Sequence, residues 1–184
     1  MIIGLKILAL GAVLFALSGC LVSDKALIVE SDAVTPIAPG TYIDEKKPGD
    51  KTAMRVVTLS GHETRIAEGT DAKPDAFLVR NLRGDLFIIM SRKSSEYGVI
   101  AINANAIIEY KSGGNCDSLV YLAARRDMRM SQMGVVRVDD EGESAKCVFD
   151  DYAKLAAAFL TLYDNGKMVP GTTYIRVKGS AKGK

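Results

Sequence analysis

The chain has 184 residues, of which 48% are hydrophobic, and carries 24 Lys and Arg against 22 Asp and Glu. This length is sufficient for one domain with its own core. The nearly balanced charge argues against nucleic acid as a partner, because contact with a phosphate backbone leaves a clear excess of basic residues. Tryptophan is absent and histidine occurs once, so two residue types that often mark sugar-binding and catalytic sites are scarce.

The first twenty residues have the pattern of an export signal. A single lysine, Lys6, precedes an apolar run over 7–17, and Leu17-Ser18-Gly19-Cys20 closes it. The run is shorter than the ~20 residues of a membrane-spanning helix. The Leu-Ser-Gly-Cys ending resembles the lipobox of bacterial lipoproteins. That resemblance implies that residues 1–19 are a signal peptide, cut off before Cys20, and that acyl chains such as palmitate are attached through the Cys20 sulfur.

The same resemblance implies a location. Two or more acyl chains anchor a protein stably, so the mature chain would be held at a membrane and face the periplasm. In lipoproteins of bacteria with two membranes, an aspartate after the lipidated cysteine favours the inner membrane. Leu21 stands at that position, and we therefore expect the outer membrane rather than the inner one. Membrane lipid is then one partner, and we expect no cofactor beyond the covalent lipid on Cys20.

Two further cysteines, Cys116 and Cys147, remain after Cys20 is assigned to the lipid. An even pair in an exported chain predicts a disulfide, because the periplasm is kept oxidising. The alternative is a nucleophilic Cys116, which follows the flexible stretch Gly113-Gly114-Asn115. Such a nucleophile needs a base, and His62 is the only histidine available.

The mature chain predicts a tether over 20–35, a single β-rich domain over 36–177, and a disordered basic tail over 178–184. Short strands bounded by turn residues predict a mainly β (α+β) fold, in which an antiparallel meander forms a sandwich or barrel. The run Leu86-Phe87-Ile88-Ile89-Met90 is apolar on both faces and predicts a strand covered on both sides. The predicted strands are 41–43, 54–59, 64–66, 76–80, 85–90, 97–102, 106–110, 119–124, 135–138 and 172–177.

One helix is predicted at about 150–164. Asp150 or Asp151 can cap its start and Gly166 can end it. Apolar residues recur at helical spacing and form one stripe, so we expect the helix to pack on the sheet. A membrane-surface helix is the alternative, but the cationic face of such helices is absent. The stripe consists of Tyr152, Leu155, Ala156, Phe159 and Leu162 or Tyr163.

Two neighbouring clusters offer binding chemistry. Met128, Met130 and Met133 carry thioethers, which are soft ligands that suit Cu(I), although methionine is also a flexible filler of cores. Arg125, Arg126 and Arg129 surround them and would repel a cation. These arginines form either a solvated basic edge or a contact site for a partner or an anion, such as the phosphate of a lipid or a lipopolysaccharide. We assign no metal site.

Acidic residues leave an enzymatic alternative open, namely an envelope hydrolase whose carboxylates are paired only in space. A cleft with two carboxylates of raised pKa would favour the enzyme, and a flat apolar or aromatic patch would favour a binding protein. The run 139–143 lacks the alternate spacing of a calcium loop, and we interpret it as a solvated turn. The candidate acids are Asp75, Asp85, Glu96, Glu109, Asp117 and those of 139–143.

Ser60-Gly61-His62-Glu63-Thr64 resembles the Ser-Gly-x-x-Tyr stretch of lipid-anchored lysozyme inhibitors, with Thr64 in place of the tyrosine. Members of that family are small β-barrels with a disulfide. We assign no roles to residues from this resemblance. No catalytic residues are assigned in the chain. The sequence predicts a non-catalytic role in binding, scaffolding or assembly, with an envelope protein or glycan as the partner and no enzymatic activity.

Overall fold

The computed structural model describes residues 21–69, 72–94, 96–112, 116–141 and 144–177. The predicted signal peptide, Cys20 and the predicted tail lie outside these residues. Eleven strands and two α-helices are present in the described part. They are β1 (Leu21–Val22), β2 (Gly40–Asp44), β3 (Met54–Ser60), β4 (Glu63–Glu68), β5 (Asp75–Arg83), β6 (Leu86–Ser91), β7 (Tyr97–Asn103), β8 (Ala106–Ser112), α1 (Cys116–Arg125), β9 (Arg137–Glu141), β10 (Ser144–Val148), α2 (Tyr152–Asp164) and β11 (Met168–Arg176).

Eight strands close into an antiparallel barrel in the order β11-β2-β3-β4-β5-β6-β7-β8. The predicted mainly β fold is confirmed, and of the two architectures left open the barrel is the one that forms. Successive strands are joined by tight connections such as Gly84 (φ 60°) between β5 and β6. Arg83-Gly84-Asp85 is therefore part of a hairpin turn. The last strand, β11, closes the barrel by pairing with both β2 and β8.

Side chains alternate between the inside and the outside of the barrel, as the period of a strand requires. Inward residues fill the barrel with an apolar core, into which Ile37 also packs from the segment before β2. An interior of eight strands is just wide enough for side chains to fill. This inner core consists of Ile37, Tyr42, Val57, Ile66, Phe77, Val79, Ile89, Ile100, Ile107 and Tyr174.

A second layer covers one outer side of the barrel. It consists of α1, α2 and a small sheet with the strand order β1-β10-β9. Outward side chains of β5 to β8, such as Leu78 and Val99, join this layer in a second core. On β6, Ile88 belongs to this outer core while Ile89 belongs to the inner one. The prediction that 86–90 is covered on both faces is confirmed.

Helix α2 is confirmed at Tyr152–Asp164. The side chain of Asp151 accepts a hydrogen bond from the Lys154 N–H, which caps the helix, and Gly166 follows its end with a φ of 63°. Leu155, Phe159 and Leu162 of the predicted stripe are buried, while Tyr152, Ala156 and Tyr163 pack against the same core at partial exposure.

Two of the predicted strands are wrong in whole or in part. Residues 119–124 lie in helix α1, not in a strand. The apolar run over these positions suits either element, and Cys116, Leu119, Leu122 and Ala123 are the residues of one helical face that the fold buries. Strand β9 begins at Arg137, so only the second half of 135–138 belongs to it.

The segment that we expected to be a tether is packed against the domain from Leu21 onward. Leu21 pairs with Cys147 in the parallel β1–β10 ladder and is 2% exposed. Leu27 and Ile28 are buried in the outer core, and the Leu27 N–H donates to the hydroxyl of Tyr97. The buried residues of this segment, Leu21, Leu27, Ile28 and Ala33, fill the outer core without strand or helix periodicity.

Candidate functional site

Cys116 and Cys147 form a disulfide, as predicted. Cys116 begins α1 and Cys147 lies in β10, and their Cα atoms are 5.1 Å apart. Both residues are fully buried. This bond excludes the alternative of a free nucleophilic Cys116. His62, the base that such a nucleophile would need, is exposed in the turn between β3 and β4.

Charged groups gather at one end of the barrel interior, and we call Asp44, Arg55, Glu68, Glu109 and Tyr174 the polar cluster. They stand on five strands that neighbour one another through β11 and β2, and strand pairing places Arg55 opposite Glu68 and Tyr174 opposite Asp44. Arg55 Nη2 lies 2.9 Å from Glu68 Oε1. The Arg55 guanidinium also lies 5.0 Å from the centre of the Tyr174 ring.

Burial changes the acidity of this cluster. It raises the pKa of Glu109 to about 7, an effect that Arg55 opposes and Glu68 reinforces. Burial likewise raises the pKa of Glu68, against the opposing charge of Arg55. The pKa of Tyr174 is raised to about 12, first by burial and then by the charge of Glu109. Two carboxyl groups with raised pKa values therefore share one end of the barrel.

The space beside these carboxyl groups is small. The cavity lined by Arg55, Glu109 and Tyr174 measures about 10 Å³, roughly the room that one water molecule needs. Two larger hollows, of about 530 and 460 Å³, open elsewhere on the surface. Neither of these two hollows includes Glu68 or Glu109 in its lining.

The structure brings few of the sequence-predicted acids together. Among the candidates that the structure describes, only Glu109 belongs to the polar cluster, although the charge of Asp75 contributes to the raised pKa of Glu68. Asp75 itself pairs with Lys93. Four other candidates contribute to local structure: Asp85 lies in a turn, Glu96 accepts a hydrogen bond from the Ser94 hydroxyl, Asp117 accepts one from the Ala145 N–H, and Asp139 pairs with Arg137. Residues 139–141 of the predicted turn belong to strand β9, and residues 142 and 143 lie outside the described residues.

Sequence reasoning missed Arg55 and Glu68. Their signal is a charged residue at an inward position of an otherwise apolar alternation, as in Ile66-Ala67-Glu68. Recognising that these positions meet requires the register of the closed barrel.

A second cluster lies at the end of α1, and we call Tyr121, Arg125, Arg126, Arg129 and Lys167 the basic patch. Arg125 donates to the Tyr121 hydroxyl at 3.2 Å, and Lys167 Nζ lies 5.0 Å from the centre of the Tyr121 ring. Arg126 donates to Asn165 Oδ1, just after α2. Arg129 follows in the turn after α1, where its N–H donates to Gln132.

Most of the basic patch is exposed, and its cationic groups have no acidic partner among the described residues. Tyr121 is 49% exposed, and the three arginines are exposed as well. In the part of the chain that the structure describes, no carboxylate lies within 4 Å of the four cationic groups, whereas six other arginines have such a partner. Those six are Arg55, Arg65, Arg80, Arg83, Arg92 and Arg137.

The methionines beside the basic patch pack into the outer core. Met133 is 2% exposed, and Met128 and Met130 contact the same core at partial exposure. Their positions are those of core-filling side chains. The described residues contain no group of three or more His, Cys, Asp or Glu that could hold a metal ion.

No protein-family model, curated protein or solved structure matches the chain. The resemblance of Ser60 to Thr64 to lysozyme inhibitors stays a prediction. In the structure Ser60 ends β3, the next two residues form the turn, and Glu63 and Thr64 begin β4. Across the described ranges, no helix is both long and apolar enough to cross a membrane.

Proposed function

We propose that the protein is a lipid-anchored protein of the bacterial cell envelope with a non-catalytic role in binding or scaffolding. The anchor would be Cys20, with the domain facing the periplasm and the outer membrane favoured over the inner one. The Leu17-Ser18-Gly19-Cys20 motif supports this location. The Cys116–Cys147 disulfide also supports it, because such bonds persist in oxidising compartments.

The observation that carries the binding role is the basic patch. Two of its four cationic groups, those of Arg125 and Lys167, lie beside the exposed Tyr121, and none of the four has a carboxylate partner among the described residues. Arginine binds carboxylates and phosphates through paired hydrogen bonds, and tyrosine supplies apolar contact area with a polar end. An anionic partner that contacts this patch fits both properties. Asp127, in the same turn, reduces the net charge of the surface but does not form an ion pair with the patch.

The raised pKa values of Glu68 and Glu109 favour the second candidate function, an envelope hydrolase. A carboxylic acid that titrates near neutral pH can act as a general acid. The cavity of about 10 Å³ beside Glu109 opposes this function, because it leaves no room for a substrate. A burial-driven rise in pKa also occurs in structural carboxyl groups. We therefore place binding ahead of hydrolysis.

Photo-crosslinking in intact cells tests the binding role. A photoreactive amino acid replaces Tyr121 in the basic patch, or Thr58 on the outer face of β3 as the control. We expect a crosslinked envelope component from position 121 alone, and its loss when Arg125, Arg126 and Arg129 are changed to glutamate. Equal products from both positions would contradict a binding role for this patch. If Glu109→Gln abolished the activity of the protein in cells while folding and crosslinking stayed intact, the hydrolase would be favoured.

A further inference from the structure

The packed domain begins at the residue after the predicted anchor. Leu21 is 2% exposed and pairs with Cys147 in β10. The carbonyl of Val22 accepts a hydrogen bond from the Phe149 N–H at 3.0 Å. Adjacent Cα atoms are only about 3.8 Å apart, so no flexible linker separates position 20 from the folded domain.

This arrangement has a consequence for an anchored protein. Acyl chains on Cys20 would hold Leu21, and the domain that buries it, beside the lipid headgroups. A domain of this size has a radius of gyration of roughly 15 Å, which is far larger than the single-residue gap. Part of its surface must therefore touch the headgroups, and the charge of that surface decides how the domain sits.

The basic patch lies within reach of this contact. Leu21 is one strand spacing, about 4.8 Å, from Cys147, whose Cα is 5.1 Å from that of Cys116. Helix α1 begins at Cys116 and carries Arg125 at its other end, roughly 14 Å away along its axis. The path from Leu21 to Arg125 is therefore at most roughly 25 Å, which is less than the breadth of the domain.

The chemistry of the patch fits lipid phosphate. Arg125, Arg126 and Lys167 lack carboxylate partners among the described residues, so their charges are available to an external anion. Exposed Tyr121 has the amphipathic character of side chains that settle at the level of lipid headgroups. Basic groups close to an anionic membrane are attracted to it within a Debye length.

We propose that the anchored domain docks on the phosphates of anionic lipid headgroups through the basic patch. This inference rests on the proposed lipid anchor and names the partner of the same patch. Docking would fix the orientation of the barrel on the membrane, with α1 and the turn after it directed toward the headgroups. The opposite side of the barrel, which includes the outer face of β3, would face away from the membrane.

Tryptophan fluorescence of the full-length lipidated protein tests this orientation. The chain has no tryptophan, so Tyr121→Trp introduces a single reporter into the patch, and Thr58→Trp introduces one on the outer face of β3. Each variant is reconstituted in vesicles of brominated phosphatidylcholine, alone or mixed with phosphatidylglycerol. We expect the bromolipid to quench position 121 more strongly than position 58, and only when phosphatidylglycerol is present.

Charge reversal supplies the matched control. Arg125→Glu, Arg126→Glu and Arg129→Glu together should abolish the quenching at position 121. The same change at exposed lysines, Lys46→Glu, Lys47→Glu and Lys51→Glu, should leave it intact. Circular dichroism melts verify that each variant is folded.

The outcomes separate the two proposals. Protein that floats with the vesicles but shows no dependence on phosphatidylglycerol, or equal quenching at both positions, would overturn the docking while leaving the anchor. Protein that fails to float with vesicles after purification from its membrane would overturn the anchor and the docking together.

Discussion

The raised pKa of Glu109 makes the stability of the domain depend on pH. Burial raises the pKa of this carboxyl group from 4.5 to about 7. Between these two values the folded state holds a proton that the unfolded state has released, so the free energy of unfolding falls as the pH rises. One pKa unit corresponds to about 1.4 kcal/mol, and the full loss is therefore roughly 3 kcal/mol above pH ~7.

Glu109→Gln removes the charge and keeps the size of the side chain. We expect the variant to be more stable than the native protein by up to roughly 3 kcal/mol above pH ~7, with little difference below pH ~4.5. Urea melts across this range measure the difference, with Glu45→Gln in an exposed turn as the control. If the free energy of unfolding changed with pH in the same way for the native protein and for Glu109→Gln, burial of the Glu109 carboxylate would not destabilise the domain.

Three further predictions concern packing and backbone geometry. Phe159→Ala should cost about 3–5 kcal/mol in urea melts because Phe159 is buried in the outer core, whereas Lys154→Ala should change the melt little, because its ion pair with Asp150 is exposed. Equal small losses from both variants would mean that α2 does not pack. Replacing Cys116 and Cys147 together by alanine should cost up to roughly 3–4 kcal/mol, measured by thermal melts, and an unchanged melt would show that the bond adds no stability. Gly134→Ala should cost about 1–3 kcal/mol, because Gly134 has a φ of 84° and an added Cβ would lie 2.5 Å from the Lys154 carbonyl oxygen; a melt like that of the native protein would contradict this contact.

The barrel strands could be predicted from the sequence because their signal is local. The pattern of apolar side chains marks each strand, and a turn residue marks its end, as Gly84 does between β5 and β6. Helix α2 was predictable for the same reason, since its cap and its apolar stripe lie within its own residues. Helix α1 was missed because its central run is apolar enough for a strand.

The basic patch could be predicted in part from the sequence, whereas the polar cluster could not. Arg125, Arg126 and Arg129 are close in sequence and could be singled out. Tyr121 joins them through the i, i+4 spacing of α1, a helix that the sequence did not predict, and Lys167 joins them only through the packing of the segment after α2 beside α1. The polar cluster needed the closed barrel, because its members come from five strands and meet only through strand register.

The central claim is that Cys20 anchors the protein in a membrane. Metabolic labelling of cells with a clickable palmitate analogue, followed by capture of the protein, tests it directly. We predict that the native chain carries the label and that Cys20→Ser carries none and is lost from the membrane fraction. Label that persists in Cys20→Ser, or a native chain without label, would contradict the account.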